Sequence, residues 1–199
     1  VNMQGKKIEL RSTDGAKVTI IDGQDKQRGI VCNQGESQET IIDGFTIQNC
    51  SKSDGGGLLT RFQGTDIQVK NCIFKNNEST GNNYGGGAVA CRNGSNPSFE
   101  NCWFLENDSN NMGGAVAIYG GGTPSFNNCL FFENRAIDRG GAVYVANASI
   151  ATINDSEFCK NAAGNPTDYS NIEGSWESDN PENNFFGEDG ILVPDNTED

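Results

Sequence analysis

The chain has 199 residues, 14 basic and 27 acidic side chains, a formal net charge of −13 and no histidine. An acidic chain without a basic patch is a poor nucleic-acid binder and a poor ligand for anionic lipid. No apolar run reaches the roughly 18 residues of a membrane span, and the lack of histidine removes histidine base, triad and imidazole–metal chemistry.

In chain order, the first elements are short and β-prone. Residues 5–12 read Gly-Lys-Lys-Ile-Glu-Leu-Arg-Ser, and Ile20-Ile21-Asp22-Gly23 follows. Ile42-Asp43-Gly44-Phe45-Thr46-Ile47 repeats the Ile-Asp-Gly pattern, with Phe45 to Ile47 shifted by one residue against the later units. Gly-Gly-Leu-Leu stands at Gly56–Leu59, and Gly-Gly-Ala-Val at Gly86–Val89, Gly113–Val116 and Gly140–Val143. The last three lie 27 residues apart (86 to 113, 113 to 140). A second motif, Phe-x-x-Asn, keeps step with them: Phe74 to Asn77, Phe104 to Asn107, Phe131 to Asn134 and Phe158 to Asn161. Two motifs on one period define stacked units.

One unit, 113–134, holds three short strands, Ala115–Tyr119, Ser125–Asn128 and Cys129–Phe132, separated by Gly, Pro and Asn. Such segments are too short for helices. Three strands per period fit one turn of a parallel β-solenoid, with coils about 4.8 Å apart. The expected fold is all-β, a parallel β-solenoid of about six coils over residues 1–161, roughly 30 Å tall. Residues 162–199 form an acidic, Asn- and Pro-rich tail. It carries 10 of the acidic residues and none of the basic ones. Its apolar islands, Trp176, Phe185-Phe186 and 191–193, suit a cap on the last coil, whose open edge would otherwise invite stacking.

Stacking the units gives columns. Ile41, Val69, Phe99, Phe126 and Ile153 form one apolar ladder, and Phe74, Phe104, Phe131 and Phe158 another. Gly44, Cys72, Cys102, Cys129 and Ser156 form a small inward column. Asp43, Asn71, Asn101, Asn128 and Asp155 fall at the bend between the second and third strands, as does Asp22 in Ile21–Gly23. Asn suits such a bend because it tolerates the left-handed conformation.

The chemistry-bearing residues are sparse. The seven cysteines leave at least one thiol unpaired. The coil spacing exceeds the ~3.8 Å that disulfide Cβ atoms prefer, so Cys72, Cys102 and Cys129 are expected as buried free thiols. Zinc is not expected without Cys-x-x-Cys or His, and no metal or other cofactor is. Asn-x-Ser sequons stand at Asn49, Asn77, Asn93, Asn107, Asn147 and Asn154. The carboxylates are scattered over different turns, so no catalytic residue is assigned. The Gly-Gly-Ala-Val strands are apolar on both faces, with Val89, Val116, Ile118, Val143 and Val145 alternating with alanines. Either a loop covers the outer face, or that face binds another protein; these five residues are the candidate partner-binding face.

The paired Gly-Gly-Ala-Val and Phe-x-x-Asn motifs resemble the repeats of chlamydial polymorphic outer-membrane proteins. Residues 5–12, Ile20–Gln24 and 42–47 resemble the opening of secreted bacterial right-handed β-helix repeat proteins. Together the resemblance covers roughly residues 5–161. It implies a right-handed parallel β-helix, an extracellular or surface location, the lumen of an organelle being the alternative, and a role in adhesion or display. The membrane barrel that anchors the chlamydial proteins has no counterpart in these residues. The expected function is a non-enzymatic binding or structural module whose partner is another protein or a surface glycan. The alternatives are a polysaccharide lyase or glycoside hydrolase, and an accessory subunit of a larger assembly.

Overall fold

The computed structural model describes residues 1–146, 148–164 and 171–187. The chain winds into a rod with four β faces, every strand pairing parallel with its equivalent one coil away. Sheet A contains Ile30–Cys32, Leu58–Arg61, Val89–Arg92, Val116–Tyr119, Val143–Val145 and Ile172–Glu173. Sheet B contains Glu9–Arg11, Ile41–Asp43, Gln68–Lys70, Ser98–Glu100, Ser125–Asn127, Ala151–Asn154 and Trp176–Glu177. Sheet C contains Ile20–Asp22, Thr46–Gln48, Ile73–Lys75, Trp103–Leu105, Leu130–Phe132, Glu157–Cys159 and Phe185–Gly187. Sheet D is built from two-residue strands, Ser51–Lys52, Glu78–Ser79, Asp108–Ser109, Arg135–Ala136 and Ala162–Ala163. The rod makes about six turns.

The fourth sheet corrects the expectation of three strands per unit. Its strands carry no apolar alternation, because a two-residue strand at a corner has only one side chain to turn inward. Sequence periodicity has nothing to register there. Parallel pairing continues past residue 161. Ala162–Ala163, Ile172–Glu173, Trp176–Glu177 and Phe185–Gly187 extend sheets D, A, B and C respectively. The tail residues 165–170 and 188–199 lie outside the described residues, and with them the 191–193 island of the expected cap.

The core is a stack of like side chains. Phe74, Phe104, Phe131 and Phe158 are fully buried, their neighbouring rings parallel within 6° at 5.2, 4.6 and 4.5 Å. Phe99 and Phe126 stack beside them at 4.9 Å and meet Phe104 edge-on. The mixture of offset-parallel and T-shaped contacts is the arrangement aromatic quadrupoles favour.

Three columns need correction at the first coils, the first being the bend column, where Gly44 (φ 81°) and not Asp43 falls opposite Asn71. Ile42, not Ile41, pairs with Val69 and is buried. Phe45, not Gly44, falls opposite Cys72, since Asp43 pairs with Lys70 and Thr46 with Ile73. The apparent phase shift of Phe45 to Ile47 therefore vanishes, and Ile47 sits under Phe74. The register follows burial. A one-residue slip would turn Ile42 and Ile47 outward together. Asp22 likewise leaves the bend column: it pairs with Gln48 at the end of sheet C. There it accepts hydrogen bonds from Gln48, Asn49 and the Gln24 amide, and these donors lower its pKa, Gln48 most.

The Gly-Gly pair marks the corner from sheet D to sheet A. Gly86, Gly113 and Gly140 have φ of 80°, 67° and 62°. A Cβ on any of them would run into the carbonyl of Val89, Val116 or Val143. Glycine is required there by both backbone conformation and space.

The Asn of Phe-x-x-Asn turns inward at the corner between sheets C and D. Asn77, Asn107, Asn134 and Asn161 are all at or below 1% exposure. Each amide donates to a carbonyl one coil below and to the next Asn side chain above. For Asn107 these are Phe74 O at 3.0 Å and Asn134 Oδ1 at 2.9 Å. Its own Oδ1 accepts the Asn77 backbone N–H and side-chain amide, both at 3.0 Å. This buried ladder satisfies the backbone groups that the corner would otherwise strand.

All seven cysteines are buried, and Cys72, Cys102 and Cys129 are free thiols. The Cys102 thiol donates to Val69 O at 3.5 Å rather than meeting another sulfur. Burial pushes the Cys72 thiol up to about 11 and Cys129 to about 12, and raises Cys102 as well. Thiolate, the reactive form, is therefore scarce at neutral pH. Thiol labelling of Cys72, Cys102 and Cys129 is expected to be slow in the folded chain and complete in denaturant. A Cys72–Cys102 or Cys102–Cys129 bridge detected by mass spectrometry would overturn this.

Candidate binding groove

The five residues expected as a partner face lie inside the rod. Val89, Val116, Ile118 and Val143 are fully buried and Val145 is 3% exposed, all within the core. They offer no surface to a partner, which corrects that expectation. The strand turns Leu59, Ala90, Ala117 and Tyr144 outward instead, in register with one another. The chain itself covers much of that side. Tyr84 lies edge-on to Tyr119 at 5.4 Å, and the Tyr119 hydroxyl accepts the Gly85 N–H at 3.1 Å. Arg92 stacks on the Tyr84 ring at 3.7 Å and pairs with Asp54 at 2.6 Å, while Arg28 holds the same carboxylate at 2.7 Å. Ala90 and Ala117 are fully buried beneath this cover.

The open concavity lies elsewhere, along the seam of sheets B and C. It encloses about 510 Å³ and runs through four coils. One wall is the exposed bend column Asn71, Asn101, Asn128 and Asp155. Their φ values of 50° to 54° are left-handed, as Asn permits. Their side chains link coil to coil, Asn71 to Asp43 at 2.8 Å, Asn101 to Asn71 at 3.2 Å and Asn128 to Asn101 at 2.8 Å. Each amide spends one N–H on the link and, among the described residues, keeps the other.

The floor is the outward column of sheet C, where Ile73, Trp103, Leu130 and Glu157 stand in register. All four are half-buried. Ala16 and Lys17 close the lower end, and the Asp155 and Glu157 carboxylates line the upper end. Asp155 also accepts Asn183 at 2.7 Å. The groove thus offers an aromatic and aliphatic floor, a periodic row of amides and two acceptor carboxylates. Few polar groups placed against an apolar surface are what small-ligand and polymer sites share.

The sequence carried a signal for this floor. Trp103-Phe104-Leu105 and Leu130-Phe131-Phe132 are apolar at three consecutive positions, so one apolar side chain on each side of the inward Phe must face outward. The Gly-Gly-Ala-Val strands show the same pattern, but there the chain covers its own outer face.

Among the described residues no group of three or more Cys, Asp or Glu is placed to hold a metal ion, and no helix is long and apolar enough to cross a membrane. The sequons separate by geometry. Asn77 and Asn107 are buried with both amide hydrogens committed, so neither accepts a glycan in the folded chain. Asn93 is exposed, and Asn147 lies outside the described residues.

The sequence matches the family described as right handed beta helix region over residues 2–173. The chain belongs to that family, and its parallel solenoid agrees with that description. The match carries no chlamydial assignment. Neither a curated protein nor a solved structure matches the chain. The family includes both enzymes and non-enzymes.

Proposed function

We propose that the chain is a non-enzymatic binding module, acting outside the cytoplasm, that holds an extended glycan along the groove between sheets B and C. The observation that carries this reading is Trp103. Its indole is only half-buried, between Ile73 and Leu130, on the floor of a groove walled by free amide N–H groups. An apolar ring face beside hydrogen-bond donors suits a sugar, which has an apolar C–H face and a rim of hydroxyls. The groove repeats with the coils, about 4.8 Å per step, so a polymer meets equivalent contacts along its length.

Trp103→Ala tests the reading. On an immobilised panel of plant, fungal and bacterial polysaccharides, the intact chain is expected to bind at least one, and the variant to lose that binding with its β circular dichroism unchanged. Binding that survives the substitution, or is absent from the intact chain, would sink the groove. Capture of an unstructured peptide instead of any glycan would move the partner class to protein.

A glycoside hydrolase is the second reading, because Asp155 and Glu157 both line the groove. Glycosidases set two carboxylates on either side of the scissile bond. These two stand two residues apart on one segment and approach from the same end, and Asp155 is already held by Asn183. That geometry favours binding over hydrolysis. Release of reducing ends by the purified chain, lost in Glu157→Gln, would establish the enzyme.

A further inference from the structure

Resting on the glycan reading of this groove, we infer that its ligand is an uncharged polysaccharide and that Asp155 and Glu157 select against acidic ones. The inference comes from the fourth coil of the groove. There the amide column Asn71, Asn101, Asn128 carries Asp155 and the floor column Ile73, Trp103, Leu130 carries Glu157, with Asn183 donating to Asp155 and Phe185 in register with Glu157 one coil further on. Two carboxylates therefore share the upper end of the groove. Lys17 is the one cation among the groove-lining residues, and it stands at the opposite end.

A polyuronate carries a carboxylate on every sugar. Four coils span roughly 14 Å between the first and last wall residues at the sheet spacing, so a bound uronate chain could not avoid placing a charge near the upper end. Like charges within a few ångströms disfavour binding, more so where the protein displaces water. Neutral hydroxyls at the same place donate to the carboxylates, and charge-assisted hydrogen bonds are the stronger kind. The same pair thus supports one ligand class and repels the other, which is how specificity is built. The whole chain adds to the effect through its net charge of −13.

The test uses the full chain and the indole N–H signal of Trp103, assigned by its loss in Trp103→Phe. Hexasaccharides of β-linked glucose, mannose and xylose are titrated against a hexamer of galacturonic acid at low salt. At least one neutral hexamer is expected to shift the indole signal, and the galacturonate hexamer to bind about tenfold or more weakly. In the Asp155→Asn, Glu157→Gln double variant the galacturonate hexamer is expected to gain affinity while the neutral one loses some. Galacturonate binding the intact chain as tightly as the neutral hexamers would overturn the selectivity and leave the groove standing. An indole signal that no hexamer moves would overturn both.

Discussion

Asn107→Ala is expected to remove roughly 3–6 kcal/mol of stability, enough to leave a typical domain barely folded. The Asn107 side chain is fully buried and serves three neighbours in two coils. It donates to Phe74 O and Asn134 Oδ1 and accepts from Asn77. Truncation strands the Asn77 backbone and side-chain N–H groups where water does not reach and takes one donor from the Phe74 carbonyl. Each buried group left without a partner costs about 1–3 kcal/mol, and the sum is discounted for local relaxation. Asn71→Ala provides the contrast, because the Asn71 amide is exposed and water replaces its bond to Asp43. That change is expected to cost under about 1 kcal/mol beyond any left-handed backbone penalty. Urea unfolding of both variants measures the difference. Equal losses would show that the inner ladder is no stronger a determinant than the outer one.

Phe104→Ala is expected to destabilise by about 3–5 kcal/mol, the range for large aromatic truncations in a packed core. Phe104 lies between Phe74 at 5.2 Å and Phe131 at 4.6 Å, with Phe99 and Phe126 edge-on at 5.7 and 6.1 Å. A cavity at that point removes contacts from four rings. In a rod one coil thick no second layer exists to collapse into it. Two residues along, Glu106→Ala is expected to change stability by less than about 0.5 kcal/mol. Glu106 is exposed, and its ion pair with Lys75 at 3.6 Å is screened by solvent. Its backbone is left-handed at φ 53°, which alanine tolerates no better than glutamate. Comparable losses at Phe104 and Glu106 would contradict the inward phase of sheet C.

Both predictions rest on the Phe-x-x-Asn motif, and the sequence makes only half of it legible. The Phe ladder follows from periodicity, because an apolar residue at a fixed period has one place to go. The buried role of the Asn does not. An Asn column at the exposed bend, at Asn71, Asn101 and Asn128, shows the same period and the same residue type. Only the corner geometry turns one Asn column inward and leaves the other in solvent. The groove shows the same division. The apolar triplets at Trp103–Leu105 and Leu130–Phe132 announce an outward apolar side chain, as the Gly-Gly-Ala-Val strands do. Which of the two faces stays open depends on Tyr84 and Asp54, which come from segments that arrive over sheet A, where Arg92 of the sheet's own strand holds them, and not over sheet C.

The sequence by itself determined the solenoid, the Gly-Gly corner and the stacked Phe core. Each follows from local constraints repeated at one interval: strand length, glycine's freedom at positive φ, and burial of like on like. The tertiary structure alone decided the four-sheet cross-section, the register of the first coils and the burial of Val89, Val116 and Val143. It also decided the inward turn of Asn77, Asn107, Asn134 and Asn161, and the meeting of Trp103, Asn101, Asp155 and Glu157 in one groove. The physical reason is that a side chain's direction at a corner is set by the coils above and below it. Those neighbours stand about a full repeat away in sequence, beyond the reach of any pattern read along a single strand.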